Sequence, residues 1–477
     1  MKLVLSITSA VLLGVLGCGT SAEVDTFSVA PNTTAEEYDP IGLALAIAAK
    51  SIAGDASANG HGQLRAPRYS PFGDDERPIQ QAGKTQLRHH IEKSTPQTKD
   101  IPETGQYESS SHVQYAIRQG RVQSRGVNLG GWLVAERWMA WNADIFRDLS
   151  DDVANGGEQM AFTHMHPRDV AESRYKWHRD NFITENEIAN IARSGLNTVR
   201  VPVGYWIIGY DNHDVSGSKQ WTNFAPGGLA YLDKLICEWA KKHNVAVLIS
   251  MHGAKGSQNG ADHSAPEQPG KSFWSHYPEN IASTLDAVKF LAARYKYEDA
   301  FLGIGLTNEP SGDTDRNVLY KYYDDAYRAI RYEGGNDCVL TIAPLLWEQG
   351  PGHLLEVLPQ ATNVWVEWHR YFVWGYEQAS KEDLLGSAID AFRRDVETWK
   401  QQSDKKIYIG EFSFATAGKF SSDAELSEFG RRQMHVLLNG VNGGWAFWSW
   451  RIYGDEDGAN PWSLRSLMDR GIFAKLP

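Results

Sequence analysis

The sequence predicts an α/β chain folded as a (β/α)8 TIM barrel with enlarged loops, preceded by a disordered N-terminal segment. Three observations carry this. Eight short apolar runs of β type recur after residue 112, amphipathic helical runs lie between most of them, and the chemically capable polar residues fall at or just after the ends of the apolar runs. Eight such units in about 365 residues suit a barrel whose active site gathers at the C-terminal mouth of its strands.

In chain order, residues 1–22 read as a secretory signal peptide: Lys2, the apolar run Leu3 to Leu16, then small residues ending at Thr20-Ser21-Ala22. That run is too short for a comfortable membrane span, so no stable membrane insertion is expected. An alternative reading takes Val15-Leu16-Gly17-Cys18 as a bacterial lipid-attachment site. Residues 23–111 are rich in Ser, Thr, Pro, Gln and charge, bury too little apolar surface to offset their ordering entropy, and read as a disordered spacer or pro-segment with a glycosylation sequon at Asn32-Thr33-Thr34. Residues 112–477 form the predicted barrel. Its strands are Arg125–Leu129, Asn197–Val203, Val245–Met251, Phe301–Thr307, Val339–Ala343, Val364–His369, Ile407–Phe412 and Trp445–Trp450. Helical periodicity marks Thr184–Ser194, Leu229–His243, Glu279–Tyr295, Val318–Glu333, Lys381–Gln402 and Asp423–Asn439, with Gly195 and Gly440 placed as C-terminal caps.

Composition narrows the partner. A formal charge of −12 argues against nucleic acid, whose binding rests on Lys and Arg neutralising phosphates, and favours a neutral ligand. Seventeen Trp and 20 Tyr exceed what a core requires, and such rings suit the apolar faces of pyranose sugars. With the signal removed, Cys237 and Cys338 remain. Secretion permits a bridge between them, but Cys237 lies in the helical pattern Tyr231-Leu232-Leu235-Ile236-Trp239, where a small buried thiol is the commoner role. A secreted, extracellular or wall-associated monomer is expected.

Two carboxylates stand out: Glu309, in Thr307-Asn308-Glu309-Pro310 closing the fourth strand, and Glu411, in Gly410-Glu411-Phe412 closing the seventh. Glycosidic cleavage needs one carboxylic acid to protonate the leaving oxygen and a second carboxylate at the anomeric carbon, so two must meet across one pocket. Arg200 interrupts an apolar strand; a buried guanidinium needs a carboxylate, and Glu411 is its natural partner, held ionised by it. His252, His369 and Tyr371 also close strands, placed to bond sugar hydroxyls and Glu411. Asn308 is placed for a 2-hydroxyl, and Trp448 for a sugar platform. A zinc site from His252, His263 and His369 lacks any compact ligand pair, so no metal or other cofactor is expected.

These residues sit in a familiar series. Arg125-Gly126-Val127-Asn128-Leu129-Gly130-Gly131-Trp132, Val199 to Tyr205, His252-Gly253-Ala254 with Gly256 to Gly260, Asn308-Glu309-Pro310, His369-Arg370-Tyr371, Gly410-Glu411 and Trp445 to Arg451 resemble glycoside hydrolase family 5. Within that family they are most similar to the exo-β-1,3-glucanases of fungi and similar walled microbes. The resemblance implies a retaining, metal-independent enzyme acting on β-glucan, with Glu309 as acid/base and Glu411 as nucleophile. It implies a glucose-binding shell of Glu136, Arg200, His252, Asn259, Asn308, His369, Tyr371 and Trp448. Lys255 stands where the relatives usually have Pro, Ala261 where they have an aromatic, and His263-Ser264-Ala265 where they have Asn-Ser-Gly. The aromatic missing at 261 removes half of a stacking clamp for the leaving-side sugar, to which Trp374 supplies the other half.

Overall fold

The computed structural model describes residues 111–311 and 313–473. The signal peptide and, but for Ser111, the spacer fall outside the described residues. Eight parallel strands close into one barrel in sequence order: β1 Ser124–Asn128, β2 Thr198–Gly204, β3 Ala246–Gly253, β4 Phe301–Gly305, β5 Val339–Ile342, β6 Val364–His369, β7 Lys406–Phe412 and β8 Gly444–Phe447. β1 pairs with β8, with Arg125 opposite Trp445, which completes the closure. Every expected strand is present. The fourth stops early: β4 ends at Gly305, so Glu309 lies four residues beyond it, on the loop. Glu309 itself has a left-handed backbone, φ 46°.

Apolar residues explain the layers. Inside the lower barrel, Ala246, Leu248, Leu302, Tyr408 and Ala446 pack with Ile117, carried by a helix Val113–Arg118 whose Arg118 Nη2 donates to the Phe301 carbonyl at the foot of β4. That helix plugs the N-terminal end, leaving the opposite mouth for chemistry. Outside, strand residues such as Val201, Val247, Ile304 and Trp368 pack against helix residues Ile188, Leu235, Leu291 and Trp399. Each such fully buried aliphatic side chain stabilises by about 1.5–3 kcal/mol.

The expected helices are present, and Gly195 adopts φ 84° just past one of them, as a cap should. Gly440 does not: it is the last residue of the helix Asp423–Gly440, which Val441 ends in an extended conformation. Two unexpected helices, Glu158–His164 and Arg168–Phe182, follow β1 and brace the long loop above it. Glu158 accepts from the Ala135 N–H at 2.9 Å and His178 bonds the Gly131 carbonyl at 2.8 Å. Among the described residues no helix links β5 to β6, and none is long and apolar enough to cross a membrane. Cys338 is a buried free thiol, so no bridge joins it to Cys237.

Candidate active site

At the barrel mouth the strands deliver charge inward. Arg200, midway along β2, is buried and bonds four partners: Asn128 Oδ1 at 2.9 Å, Asn308 Oδ1 at 2.6 Å, Glu411 Oε1 at 3.0 Å and Glu367 Oε1 at 2.7 Å. The expected Arg200–Glu411 pair is therefore present but shared. Glu367, on β6, is accommodated because its neighbour on β7 is a glycine: a Cβ on Gly410 would stand 2.0 Å from Glu367 Oε1.

His369, at the end of β6, ties the carboxylates together. Its Nδ1 lies 2.7 Å from Glu309 Oε1 and 3.5 Å from Glu411 Oε2, and its Nε2 lies 3.2 Å from Glu367 Oε1. Burial alone would depress its pKa, but Glu411, Glu309 and Glu367 outweigh that and raise it to about 10. As an imidazolium it donates from both nitrogens, and it and the two carboxylates present polar atoms within 4.8 Å of one another. The Tyr371 hydroxyl donates to Glu411 Oε2 at 2.8 Å.

The two mouth carboxyls titrate as a pair. For Glu309, burial raises the pKa, but the His369 hydrogen bond and the charges of His369, His263 and Arg200 outweigh it, bringing it to about 2. For Glu411, burial raises the pKa and the charge of Glu309 adds to the rise, against the pull of His369, Arg200 and Tyr371. This corrects the expectation that Arg200 by itself keeps Glu411 ionised: its charge is divided with Glu367. Protonation of Glu309 removes one of the two influences that raise Glu411.

The remaining expected residues surround this centre. His252, on β3, is neutral because burial, and after it the neighbouring Arg200, lower its pKa well below the usual range. It does not reach Glu411; its ring stacks at 5.4 Å on Trp448, which lies one residue past β8 and is buried. Glu136 accepts from Trp138 Nε1 at 2.9 Å. Trp374 is 41% exposed at the rim, beside Tyr371 at 5.4 Å and Trp462 at 6.1 Å. Asn259 spends its amide within the protein: Nδ2 donates to the Glu309 carbonyl at 3.1 Å and to His263 Nε2 at 2.8 Å, while Oδ1 accepts from the Ala261 N–H at 2.9 Å. The first of these bonds helps to hold the left-handed Glu309 backbone, a conformation that costs on the order of 1–3 kcal/mol.

Sequence reasoning missed Glu367, Asp262 and Trp347. Glu367 carried the same signal that singled out Arg200, a charge inside an apolar strand. Asp262 gave none, being one loop residue among many; its carboxyl is raised by burial and is a main influence, after burial, in raising Glu136 well above the carboxylate range. Trp347, 57% exposed, rides a loop whose Leu346 N–H donates to the Pro310 carbonyl at 2.9 Å, next to Glu309. Glu136 Oε1, His252 Nε2, Asp262 Oδ2 and Asn308 Nδ2, all buried in this region, have no hydrogen-bond partner among the described residues. Folded proteins rarely leave such atoms unpaired, and a ligand dense in hydroxyls would satisfy both donors and acceptors among them.

The family description "Cellulase (glycosyl hydrolase family 5)" matches residues 154–454, well over half of the chain. The chain belongs to glycoside hydrolase family 5. It is a glycoside hydrolase, and the carboxyl cluster lies where such a barrel carries its chemistry. Among curated relatives, this family 5 enzyme is 29% identical to a glucan 1,3-beta-glucosidase of Schwanniomyces occidentalis over 392 residues, covering 73% of this chain and 86% of the relative. It is also 29% identical to a probable glucan 1,3-beta-glucosidase A of Aspergillus fumigatus, with the same coverage of each chain. In fold it is similar to a rutinosidase from Aspergillus niger, with a TM-score of 0.61 and 17% identity over 74% of this chain and 99% of that one.

Proposed function

We propose that this family 5 enzyme is a secreted, retaining exo-β-1,3-glucanase that releases glucose from the non-reducing ends of β-1,3-glucan, with Glu309 as acid/base and Glu411 as nucleophile. The observation that carries the reading is the approach of the two carboxyls, whose nearest oxygens lie within 4.8 Å of each other. Retaining pairs stand about 5–5.5 Å apart, whereas inverting pairs leave about 6.5–9.5 Å for a water.

In the first step Glu411 Oε2 or Oε1 attacks the anomeric carbon as Glu309 gives its proton to the departing oxygen. In the second, ionised Glu309 takes a proton from water, which displaces Glu411 from the sugar. Tyr371 and Arg200 hold the Glu411 carboxylate in line for the attack. Glu136, Asp262, His252 and Asn308 offer unpaired atoms for the glucose hydroxyls. The β-1,3 linkage is supported by the names of the curated relatives, and secretion by the Lys2, Leu3 to Leu16, Thr20-Ser21-Ala22 pattern. A second reading, hydrolysis of another β-glucan or β-glucoside such as a β-1,6-glucan or a glycolipid glucoside, is favoured by the small Ala261 at the leaving side.

The deciding experiment compares glucose release from laminarin, a β-1,6-glucan and cellulose, and follows the anomer first formed by NMR. Rapid release of β-glucose from laminarin is expected. Preference for β-1,6-glucan would favour the second reading, α-glucose as first product would overturn retention, and tight binding without release would make the protein a glucan-binding module.

A further inference from the structure

Outside the barrel, one flank of the helix Arg316–Arg328 is open. Among the described residues no helix links β5 to β6, and the loop 343–363 that takes its place leaves a groove of about 770 Å³ along that flank. Three tyrosines line it. Tyr320 and Tyr327 stand two turns apart on the same face of the helix, about 10 Å along its axis. The helix then widens into the π-turn Ala329–Glu333, which carries the Tyr332 ring, 66% exposed, to 5.7 Å from Tyr327. Turns of that kind occur frequently at functional sites.

The opposite wall is pinned. The Thr362 N–H donates to Tyr327 Oη at 3.3 Å, Arg331 Nη2 donates to the Thr362 carbonyl at 2.9 Å, and Lys405 Nζ donates to the Leu355 carbonyl at 2.9 Å. At the end of the groove where the helix begins, on the mouth side of the barrel, the Glu348 side chain is only 4% exposed. Its Oε1 accepts from Arg316 Nη2, whereas Oε2 has no hydrogen bond among the described residues, although His353 Nδ1 stands 3.5 Å away. Arg316 and His353 both line the groove. A buried carboxyl oxygen without a donor is rare in a folded protein, and a ligand hydroxyl would satisfy it. The same loop starts beside the cleavage site, where the Leu346 N–H donates to the Pro310 carbonyl at 2.9 Å, one residue from Glu309.

We propose that this groove is a second glucan-binding site, separate from the cleavage site, which holds a stretch of the polymer whose ends are cut at the barrel mouth. The inference rests on the β-1,3-glucan reading above. Tyrosine rings offer flat faces to pyranose rings and a polar edge to their hydroxyls, and Glu348 Oε2 accepts one such hydroxyl. The lining balances Arg316 and Arg328 against Asp324 and Glu356, which suits a neutral ligand better than an anion or a cation. Arg328 and Asp324 pair at 2.6 Å on the helix surface and present both donors and acceptors there. A polymer held in the groove supplies its free ends to the mouth at a raised local concentration, without entering the reaction. A mono- or disaccharide cannot reach both places and gains nothing.

The test uses the full chain carrying Glu411→Gln, so that sugar is bound and not consumed, and measures adsorption to insoluble β-1,3-glucan with Tyr320→Ala, Tyr332→Ala and Glu348→Ala added one at a time. Each is expected to weaken adsorption about two- to tenfold, the worth of one stacked ring or one hydrogen bond. In the active chain the same substitutions should lower the rate on dilute laminarin while leaving kcat/KM for laminaribiose and an aryl glucoside within about twofold of the unsubstituted value. Tyr332→Ala, on an exposed ring, carries the test by itself if the other variants do not fold. Adsorption unchanged by all three overturns the inference and gives the groove to a protein segment instead. A loss on the aryl glucoside as large as that on laminarin also overturns it, since the residues would then act only by supporting the barrel. The glucan reading fails separately, if the unsubstituted chain releases no glucose from laminarin, so the two failures are distinct.

Discussion

Arg200 Nη2 lies 2.7 Å from Glu367 Oε1, closer than its Nη1 lies to Glu411 at 3.0 Å. A single buried guanidinium thus serves a carboxylate below the site and one within it. Glu367 also accepts from Thr341 and from His369 Nε2. It is held at about 2: burial raises its pKa, but Arg200 and His369 more than cancel that. The role of Glu367 is to fix both cations rather than to touch the sugar.

Glu367→Gln should therefore change chemistry and stability together. Breaking one partner of a buried ion pair costs about 3–5 kcal/mol. The charge of Arg200 then falls on Glu411 alone, which lowers the pKa of Glu411, so the acid limb of kcat/KM should shift to lower pH. Denaturant unfolding and a pH–rate profile of the variant check both. An unshifted acid limb would mean that Glu411 takes no benefit from Arg200.

His369 makes a pH-dependent contribution whose sign follows from its pKa, raised from the ordinary histidine value of 6.5 to about 10 in the fold. A base with a raised folded pKa stabilises fully below its unfolded value and loses that contribution as pH rises through the folded one. The gap in Tm between wild type and His369→Gln should thus be widest below about pH 6.5 and shrink toward pH 10. Glu367 works in the opposite window, its contribution full above about 4.5 and lost as pH falls toward 2. A His369→Gln gap that is constant across pH would show that the ring is not an imidazolium between its carboxylates.

Much of this architecture was legible in the sequence, and the failures have physical causes. Strands buried on both faces read as continuous apolar runs, so all eight were found. His369, Tyr371 and Glu411 announced themselves as polar groups at or near strand ends, and Arg200 as a charge inside an apolar strand. Glu309 was recognised but placed on the strand, because nothing in Thr307-Asn308-Glu309-Pro310 reveals a left-handed residue before Pro. The helix Arg168–Phe182 was missed because its buried face is built from Tyr175, His178, Arg179 and Phe182, which blurs the apolar period. Glu367 was overlooked although, like Arg200, it is a charge inside an apolar strand; the strand was read for its ends, and Gly410 was the second hint, of a side chain needing room. Asp262 and His263 come from a short loop turn, where no periodicity exists to read.

The two catalytic assignments separate by substrate. Glu411→Gln, nearly isosteric, should abolish turnover below about a hundredth of the wild-type rate while preserving sugar binding, since the covalent step needs an ionised carboxylate. Glu309→Ala should be severe on glucans and mild in the first step of an aryl glucoside, whose leaving group hardly needs a proton. Pre-steady-state release of the aryl group measures that step. Equal losses on both substrates would give Glu309 another task.

The family resemblance puts an aromatic for the leaving-side sugar where this chain has Ala261, and the structure leaves two aromatics exposed on loops next to the carboxyl cluster. Trp374 stands on the β6 loop beside Tyr371, and Trp347 on the loop hydrogen-bonded to Pro310. Ala261, at the start of the turn that carries Asp262 and His263, presents only a methyl group. If sugars beyond the cleaved bond rest on these rings, Trp374→Ala should raise KM for oligoglucans of three or more units, by an amount worth about 0.5–1.5 kcal/mol of stacking. Ala261→Phe should lower it by a similar amount, by completing a clamp. Neither should much affect the aryl glucoside, which has no outer sugars. Trp347→Ala distinguishes the two platforms: a rise in KM confined to the longest substrates would place it outside Trp374, whereas a rise already at the disaccharide would place it next to the cleaved bond. Chain-length dependence untouched by all three substitutions would mean that the leaving-side sugars run over another part of the rim, and the exo-β-1,3 reading would lose its main structural support on that side.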